Sequence, residues 1–389
     1  MNEIEIASRE LWAECLPEES DGFMNYYYSV KTRDNWIQRD EADGQLVSMI
    51  HWNPYQMHVR GRLWDTRYVI AVATKKEYRR QGRMARLLTE GMQKYAVEGV
   101  PFVWLMPIAE GIYEPFDFRY VYEKCEGEWP ESVDAYAGID SRDVEILDAE
   151  GLKSDSNYEA RELQGGEILK IRILHRNEYE EAAAFMNHEL AKRYEVFTER
   201  NAKWLEVVEA EVASEDGHIW GAFDENGLAG VFHEWRGDTI EIRELVCKEK
   251  YESGTGSQSL ISAVRNTLCS EEDIKITAIT TGWLGEPKPI IMARIINVKE
   301  FVKIIWAKIP QTLMIEIYDP LIWENNGIFR WNLNEWGSKI EKITPEGEAV
   351  YPDLKLSIAE LTEWLFGRRN IPGYEDIFTL SNVFLNEIV

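Results

Sequence analysis

The sequence predicts an α+β chain divided among two or three domains, and three observations lead there. At 389 residues the chain is too long for one ordinary hydrophobic core. The run Tyr68-Val69-Ile70-Ala71-Val72-Ala73 reads as a strand buried on both faces, and a basic turn, Arg79-Arg80-Gln81-Gly82, leads from it into an amphipathic helix. A strand, a glycine turn and an amphipathic helix then recur between Asp238 and Leu268.

Residues 1–40 read as helix and loop. The stretch from Asp21 to Tyr28 holds Phe23, Tyr26, Tyr27 and Tyr28, with Trp36 further on. Aromatics at helical spacing are more often core than a binding wall. Residues 45–52 and 54–60, broken at Asn53-Pro54, read as a β-hairpin leading to the central strand. After Gly82, Met84, Leu87, Leu88, Met92 and Tyr95 recur at helical spacing, while Arg83, Arg86, Glu90 and Lys94 fall on the other side. The turn before this helix aims several backbone N–H groups and the positive end of the helix dipole at one point, which suits a pyrophosphate. Gly82 lets the backbone approach an anion, and Arg79 and Arg80 add charge. No GxGxxG is present to make this a dinucleotide site, and the turn alone also fits a plain basic surface turn. A second apolar strand, Pro101–Met106, follows, then the segment Pro107–Phe118 and the alternation of Tyr120 and Tyr122.

The polar stretch from Asp140 to Gly166, centred on Gly151–Asn157, reads as a linker. The middle third starts afresh with a strand at Glu167–Ile173, a helix around Asn177–Leu190, a strand pair near 217–235 and a strand at Asp238–Cys247. Tyr251-Glu-Ser-Gly254-Thr-Gly256 then opens a helix carrying Leu260, Ile261, Val264 and Leu268. Glu249 and Glu252 would repel phosphates there, so this second turn is not expected to bind an anion. Pro287-Lys-Pro289 reads as the next boundary. Beyond it come a strand at Thr312–Tyr318, a hairpin around Asn325-Asn326-Gly327, a helix at Ser357–Phe366 and an apolar tail.

A net charge of −26 argues against nucleic-acid binding. It would favour cationic partners, although acidity also serves solubility alone. No apolar run approaches the roughly 18 residues of a membrane span, and Met1–Ile6 does not read as a signal peptide. A cytoplasmic protein without membrane contact is expected. Cys15, Cys125, Cys247 and Cys269 are widely spaced, and the six histidines form no HxH or HxxxH, so neither disulfides nor a metal site is expected.

The basic turn resembles the acyl-CoA loop of GNAT N-acetyltransferases, Gln/Arg-x-x-Gly-x-Gly/Ala. Arg79 and Gly82 match it, and Met84 departs from the small residue at its end. Gly111-Ile-Tyr113-Glu-Pro-Phe116-Asp117-Phe118 resembles the IYxxFGF signature of the Eis-type (enhanced intracellular survival) acetyltransferases, with Asp117 in place of the usual glycine. The resemblance implies an α+β fold of two GNAT-like domains, each a mixed sheet flanked by helices, plus a sterol-carrier-protein-like α+β domain. Residues 1–150 would be catalytic, 151–288 a degenerate GNAT-like domain and 289–389 the sterol-carrier-like part.

The same resemblance implies acetyl-CoA as cosubstrate. Arg79, Arg80, Gly82 and Arg83 would hold its pyrophosphate, the pantetheine arm lying between two splayed strands. A backbone N–H near Val72 would serve the developing oxyanion. Tyr113 stands at the general acid's position. A phenol of pKa about 10 can protonate a thiolate whose thiol has a pKa of roughly 8.5, though a packed core tyrosine is the other reading. The general base would be the C-terminal carboxylate of Val389, with Glu387 as the alternative. Four apolar side chains among the last six residues favour a buried tail, and burial would raise that carboxylate's basicity. Phe23, Tyr27 and Trp36 would line the amine pocket. The implied activity is N-acetylation of primary amines on cationic small molecules, aminoglycosides or polyamines, by a homo-oligomer, family relatives often assembling into hexamers. The contrasting reading is a non-catalytic carrier or sensor whose last domain binds an apolar ligand. Arg79, Gly82 and Tyr113 in the first domain, against their loss in the second, favour the enzyme.

Overall fold

The computed structural model describes residues 1–130, 145–146, 169–237, 239–252, 255–269, 275–280, 284–344 and 350–387. The centre of the expected linker, Gly254 and Val389 lie outside them. The chain falls into two compact units: residues 1–123, 194–199 and 289–389 form one, and residues 124–193 and 200–288 the other.

The first unit opens with two capped helices, α1 (Glu3–Cys15) and α2 (Asp21–Ser29). Asn2 and Glu5 close a reciprocal capping box on α1, and Ser20 caps α2. Trp36 is not in a loop, as expected from sequence, but begins a strand, β1 (Trp36–Ala42). It turns at Asp43-Gly44, both at positive φ, into β2 (Gln45–Val59). Asn53-Pro54 does not break β2, contrary to expectation. Pro54 shares the side of Gln56, whose carbonyl accepts from Glu199 N. On that side it falls after the last pair with β1, Trp36↔Trp52, and before the first with β8 (Val196–Thr198), Met57↔Thr198. Its missing N–H therefore costs no ladder bond.

Arg60-Gly61 turns the chain into β3 (Arg62–Thr74), followed by α3 (Arg83–Val97), β4 (Phe102–Leu105), α4 (Glu110–Tyr113) and β5 (Arg119–Glu128). β3 runs antiparallel to β2 and parallel to β4. One face of this mixed sheet takes α3, whose Leu87, Leu88, Met92 and Tyr95 join Ile50, Trp52, Val69, Val103 and Leu105 in one core. A side chain at Gly91 would meet the Trp52 ring at 2.1 Å, so glycine sets how closely α3 approaches.

The later part of the same unit completes this sheet. β13 (Pro287–Ile295) runs straight through the Pro-Lys-Pro expected as a boundary and pairs antiparallel with β4, Met292↔Leu105 to Ile295↔Phe102. The short helix α8 (Val298–Phe301) and strand β14 (Trp306–Ala307) lead to a separate sheet of β15 (Gln311–Tyr318), β16 (Gly327–Asn334), β17 (Gly337–Lys342) and β18 (Leu354–Ser357). Asn326-Gly327 does not make the expected tight hairpin. Asn325 is buried in a polar network described below, and the tight turn lies instead at Glu335-Trp336, between β16 and β17. Helix α9 (Ile358–Leu365) carries a Ser357/Glu360 capping box. The tail adds β19 (Ile377–Phe378) beside β14, and β20 (Val383–Phe384) parallel to β8.

The second unit has β6 (Glu145–Ile146), β7 (Lys170–Ile173), α5 (Tyr179–Ala191), α6 (Ala202–Ala213), β9 (Ile219–Asp224), β10 (Gly227–Arg236), β11 (Ile240–Cys247), α7 (Thr255–Leu268) and β12 (Ile276–Thr280). Its strands follow the order β12-β11-β10-β9-β7-β6, with β11 and β12 parallel and β9–β11 antiparallel. Helix α7 buries Leu260 and Val264 on this sheet.

Candidate active site

A β-bulge prepares the first unit's central strand. Two steps along β2, Met49 to His51, face three along β3, Ala73 to Ile70, and Ala71 takes φ +52°. That left-handed conformation is uncommon for a non-glycine residue, and a bulge re-aims the backbone around it. β3 pairs with β4 only at Arg67↔Val103 and Tyr68↔Trp104, then continues to Thr74 beyond that pairing. Val72 lies in this stretch, half-buried beside the core under α3.

Past Thr74, Arg79 Nε donates to the Thr74 carbonyl at 2.9 Å, tying the basic turn to the strand end. Arg80 and Gly82 sit at φ +60° and +77°, with Arg79 at −68°, so signs alternate as the chain enters α3. Successive amides in such a turn converge on a concavity that suits an anion. A Cβ built on Gly82 would point into open space. Among the described residues the exposed Arg80 side chain has no ionic partner. Arg83 differs: its Nη1 is 2.6 Å from Asp40 Oδ2, and Arg86 holds the other oxygen at 2.9 Å. Burial alone would raise the Asp40 carboxyl, but these two arginines hold it below its ordinary range.

Tyr113 ends α4, and Phe118 closes the turn by donating to the Tyr113 carbonyl at 3.4 Å. The Tyr113 ring is 6 % exposed and packs edge-on to Phe118 within the α3 core. Its hydroxyl has no hydrogen-bond partner among the described residues, and burial pushes its pKa up to about 12. Asp117 occupies φ +64°, the conformation glycine takes without penalty. Asp117 therefore gives the turn the shape that a glycine would.

The three aromatic candidates do not share one surface. Phe23 and Tyr27 are buried with Trp12 between α1, α2 and the face of β2 that carries His51. Trp36 stacks on Trp52 on the α3 side, with Lys94 over its ring at 5.0 Å. Around Tyr27 lies a polar cluster that sequence reasoning missed. Ser8 Oγ is 2.8 Å from His51 Nε2, and Tyr27 Oη is 3.1 Å from Nδ1 while donating to Asn53 at 3.2 Å. Burial drives the His51 pKa down to about 3, so the ring is neutral. Only the alternation of His51 and Asn53 along a strand could have hinted at it.

The tail docks. Arg60 donates to the carbonyls of Ile304, Phe378 and Thr379 at 2.9, 2.7 and 2.5 Å and pairs with Glu195, which accepts from Ser381 N. Phe384 packs against Tyr122 and Tyr194, Leu385 is buried, and buried Glu387 accepts a hydrogen bond from Thr198. Ile388 and Val389 follow, outside the described residues.

In the second unit Lys248 adopts φ −58°, ψ 143° before a 3₁₀ turn, much as Lys75 (−51°, 140°) does in the first. Here the cations are answered internally. Asp224 Oδ2 lies 2.9 Å from Lys248, 3.2 Å from Lys250 and 3.2 Å from the Tyr251 hydroxyl, and Glu252 pairs with Arg193.

Residues 5–121 match the family model of an acetyltransferase (GNAT) domain, and residues 298–378 that of a sterol carrier protein domain. No curated protein matches the chain. Solved structures share its fold over almost its whole length. A protein of unknown function from Enterococcus faecalis V583, described as a probable N-acyltransferase, is 17% identical with a TM-score of 0.73, over 97% of this chain and 92% of that one. A GCN5-related N-acetyltransferase from Anabaena variabilis is 15% identical with a TM-score of 0.69, over 97% and 92%. Eis1 from Mycobacterium abscessus is 12% identical with a TM-score of 0.63, over 98% and 97%. The fold is thus α+β, with GNAT-like sheets flanked by helices and a sterol carrier domain. The GNAT domain makes the chain an enzyme of acyl transfer.

Proposed function

We propose that the chain is an Eis-type N-acetyltransferase that moves the acetyl group of acetyl-CoA to primary amines of cationic small molecules, of the aminoglycoside or polyamine kind. In this reading residues 1–150 are catalytic, 151–288 a second GNAT-like domain without cofactor, and 289–389 the sterol-carrier-like part of a cytoplasmic homo-oligomer, a hexamer by family likeness. The observation that carries it is Tyr113: a buried phenol, without a hydroxyl partner among the described residues, in the core beneath a bulged strand.

When bound, acetyl-CoA supplies a thioester carbonyl and a thiol leaving group. Arg79, Arg80 and the amides around Gly82 fit its pyrophosphate, since the turn is exposed and no Cβ stands at Gly82. Arg83 supports the turn through Asp40. A backbone N–H beside Val72 donates to the carbonyl oxygen as charge develops there. A tail carboxylate, Val389 or the nearby Glu387, takes a proton from the amine as the N–C bond forms. Tyr113 gives its phenolic proton to the sulfur as the C–S bond breaks. Burial keeps that proton in place at neutral pH. The second unit's turn, with its lysines held by Asp224, supports the assignment of cofactor to the first unit alone.

Thiol release from acetyl-CoA across a panel of amines tests this. Polyamines and aminoglycosides should accelerate release, and Tyr113→Phe should slow it by about 10²–10⁴. No release with any amine would return the chain to the carrier reading.

A further inference from the structure

Arg294, in β13, has a fully buried guanidinium. Its Nε donates to the Phe116 carbonyl at 2.8 Å and its Nη2 to Asp319 Oδ1 at 2.7 Å, while Nη1 reaches the Ile295 carbonyl at 3.3 Å. Asp117 Oδ2 lies 3.8 Å from the same Nη2. Phe116 and Asp117 close the turn that begins at Tyr113, so Arg294 grips the far end of that turn. Asp319 is itself fixed, accepting from the Leu321 and Ile322 amides and from Asn325 Nδ2, each at 3.0 Å. Asn325 anchors the network by donating to the Ile296 carbonyl and accepting from the Val298 amide, both at 3.0 Å.

A buried ion pair is weak evidence of a stability role, because well-packed apolar residues often serve as well. What this pair supplies is geometry. The planar fork of arginine reaches a carbonyl and a carboxylate in fixed directions, which the point charge of lysine cannot reproduce. The turn it holds includes a non-glycine residue in the left-handed region, a conformation that needs surrounding structure to impose it. Asp319 and Asn325 belong to the segment matching a sterol carrier domain, so that segment braces the turn.

We infer that Arg294 is a positioning residue for acyl transfer, holding the Tyr113 turn through the Phe116 carbonyl and Asp117 so that the phenol meets the departing sulfur. The inference rests on the reading of Tyr113 as proton donor. The test compares full-length wild type, Arg294→Met, Tyr113→Phe and the double variant by thiol release and circular dichroism. Arg294→Met should lower kcat by about 10²-fold, the cost of a misplacement near 1 Å. KM for acetyl-CoA should stay within about twofold, since Arg294 contacts no residue of the 79–83 turn, and the same change on Tyr113→Phe should cost less than about twofold more. Arg294→Lys should fall between, recovering the charge but not both contacts. Should Arg294→Met unfold, Arg294→Met with Asp319→Asn removes the stranded charge and replaces it in the comparison. An unchanged kcat, a raised KM, or an equal loss with and without Tyr113 would overturn the inference. Full activity of Tyr113→Phe alone would instead overturn the reading beneath it, whatever Arg294 does.

Discussion

Gly82 faces open space at φ +77°, so a substitution there acts on whatever approaches from outside rather than on packing. Gly82→Asp adds a strained backbone and a like charge beside a pyrophosphate. Calorimetry should show acetyl-CoA affinity collapsing in this variant, while the strain lowers stability by only about 1–3 kcal/mol and leaves the protein folded; normal binding would remove the turn from the cofactor site. His51 makes a second residue-scale prediction. Its pKa falls from 6.5 unfolded to about 3 folded. Between those values the unfolded chain holds a proton the folded chain refuses, so stability drops as pH falls, by about 1.4 kcal/mol per unit. His233 adds the same trend in the second unit, also chiefly by burial. Urea unfolding at about pH 7 and about pH 5.5 should show a smaller acid loss for His51→Gln, by roughly 1.4 kcal/mol. An equal loss would mean that His51 is charged in the fold. The turn at Gly82 was readable from sequence because its neighbours in sequence shape it. His51 was not, because Ser8, Tyr27 and Asn53 reach it only through the fold.

At the scale of elements, periodicity revealed what lay within one continuous segment. The apolar run at Tyr68, helix α3 and the capped helix α9 stand where sequence put them. The bulge in β3 stayed hidden because Ala71, not a glycine, takes the positive φ. β1 was missed although Asp43-Gly44 announced its hairpin, and β8 is only three residues long, too short for any pattern. That short strand seats the tail between itself and the rings of Tyr122 and Tyr194. On the proposed reading the base is the carboxylate of Val389, and an extension would move that charge away from the residue. A few residues added after Val389 should abolish turnover while acetyl-CoA still binds, as read by kcat and calorimetry on tagged and untagged protein. Equal rates would shift the base to Glu387 or to an amine already deprotonated.

For the whole molecule, composition and length indicated a globular chain of several domains, and the resemblance carried by the basic turn and the Tyr113 segment implied GNAT-like and sterol-carrier-like parts. They did not indicate that residues 289–295 would complete the sheet begun at residue 36. Pairing partners separated by nearly two hundred residues leave no local mark, and Pro287-Lys-Pro289 resembled a break more than a strand. Because β13 covers β4, and Asn297 donates to the Ala96 carbonyl at 3.0 Å, a chain ending at Lys288 should not fold its first unit. Loss of both acetyl-CoA binding and cooperative unfolding would bear this out; a truncated chain that binds normally would show the first 288 residues to be self-sufficient. The same pairing imposes a schedule on synthesis. Phe102-Val103-Trp104-Leu105, wholly buried in the finished protein, leaves the ribosome long before Met292. At the usual 5–20 residues per second the wait is roughly 10–40 s. Throughout it, four large apolar residues present one unpaired edge, the kind of surface that recruits other chains. Nascent protein should therefore depend on a chaperone that shields this edge until residue 295 has emerged.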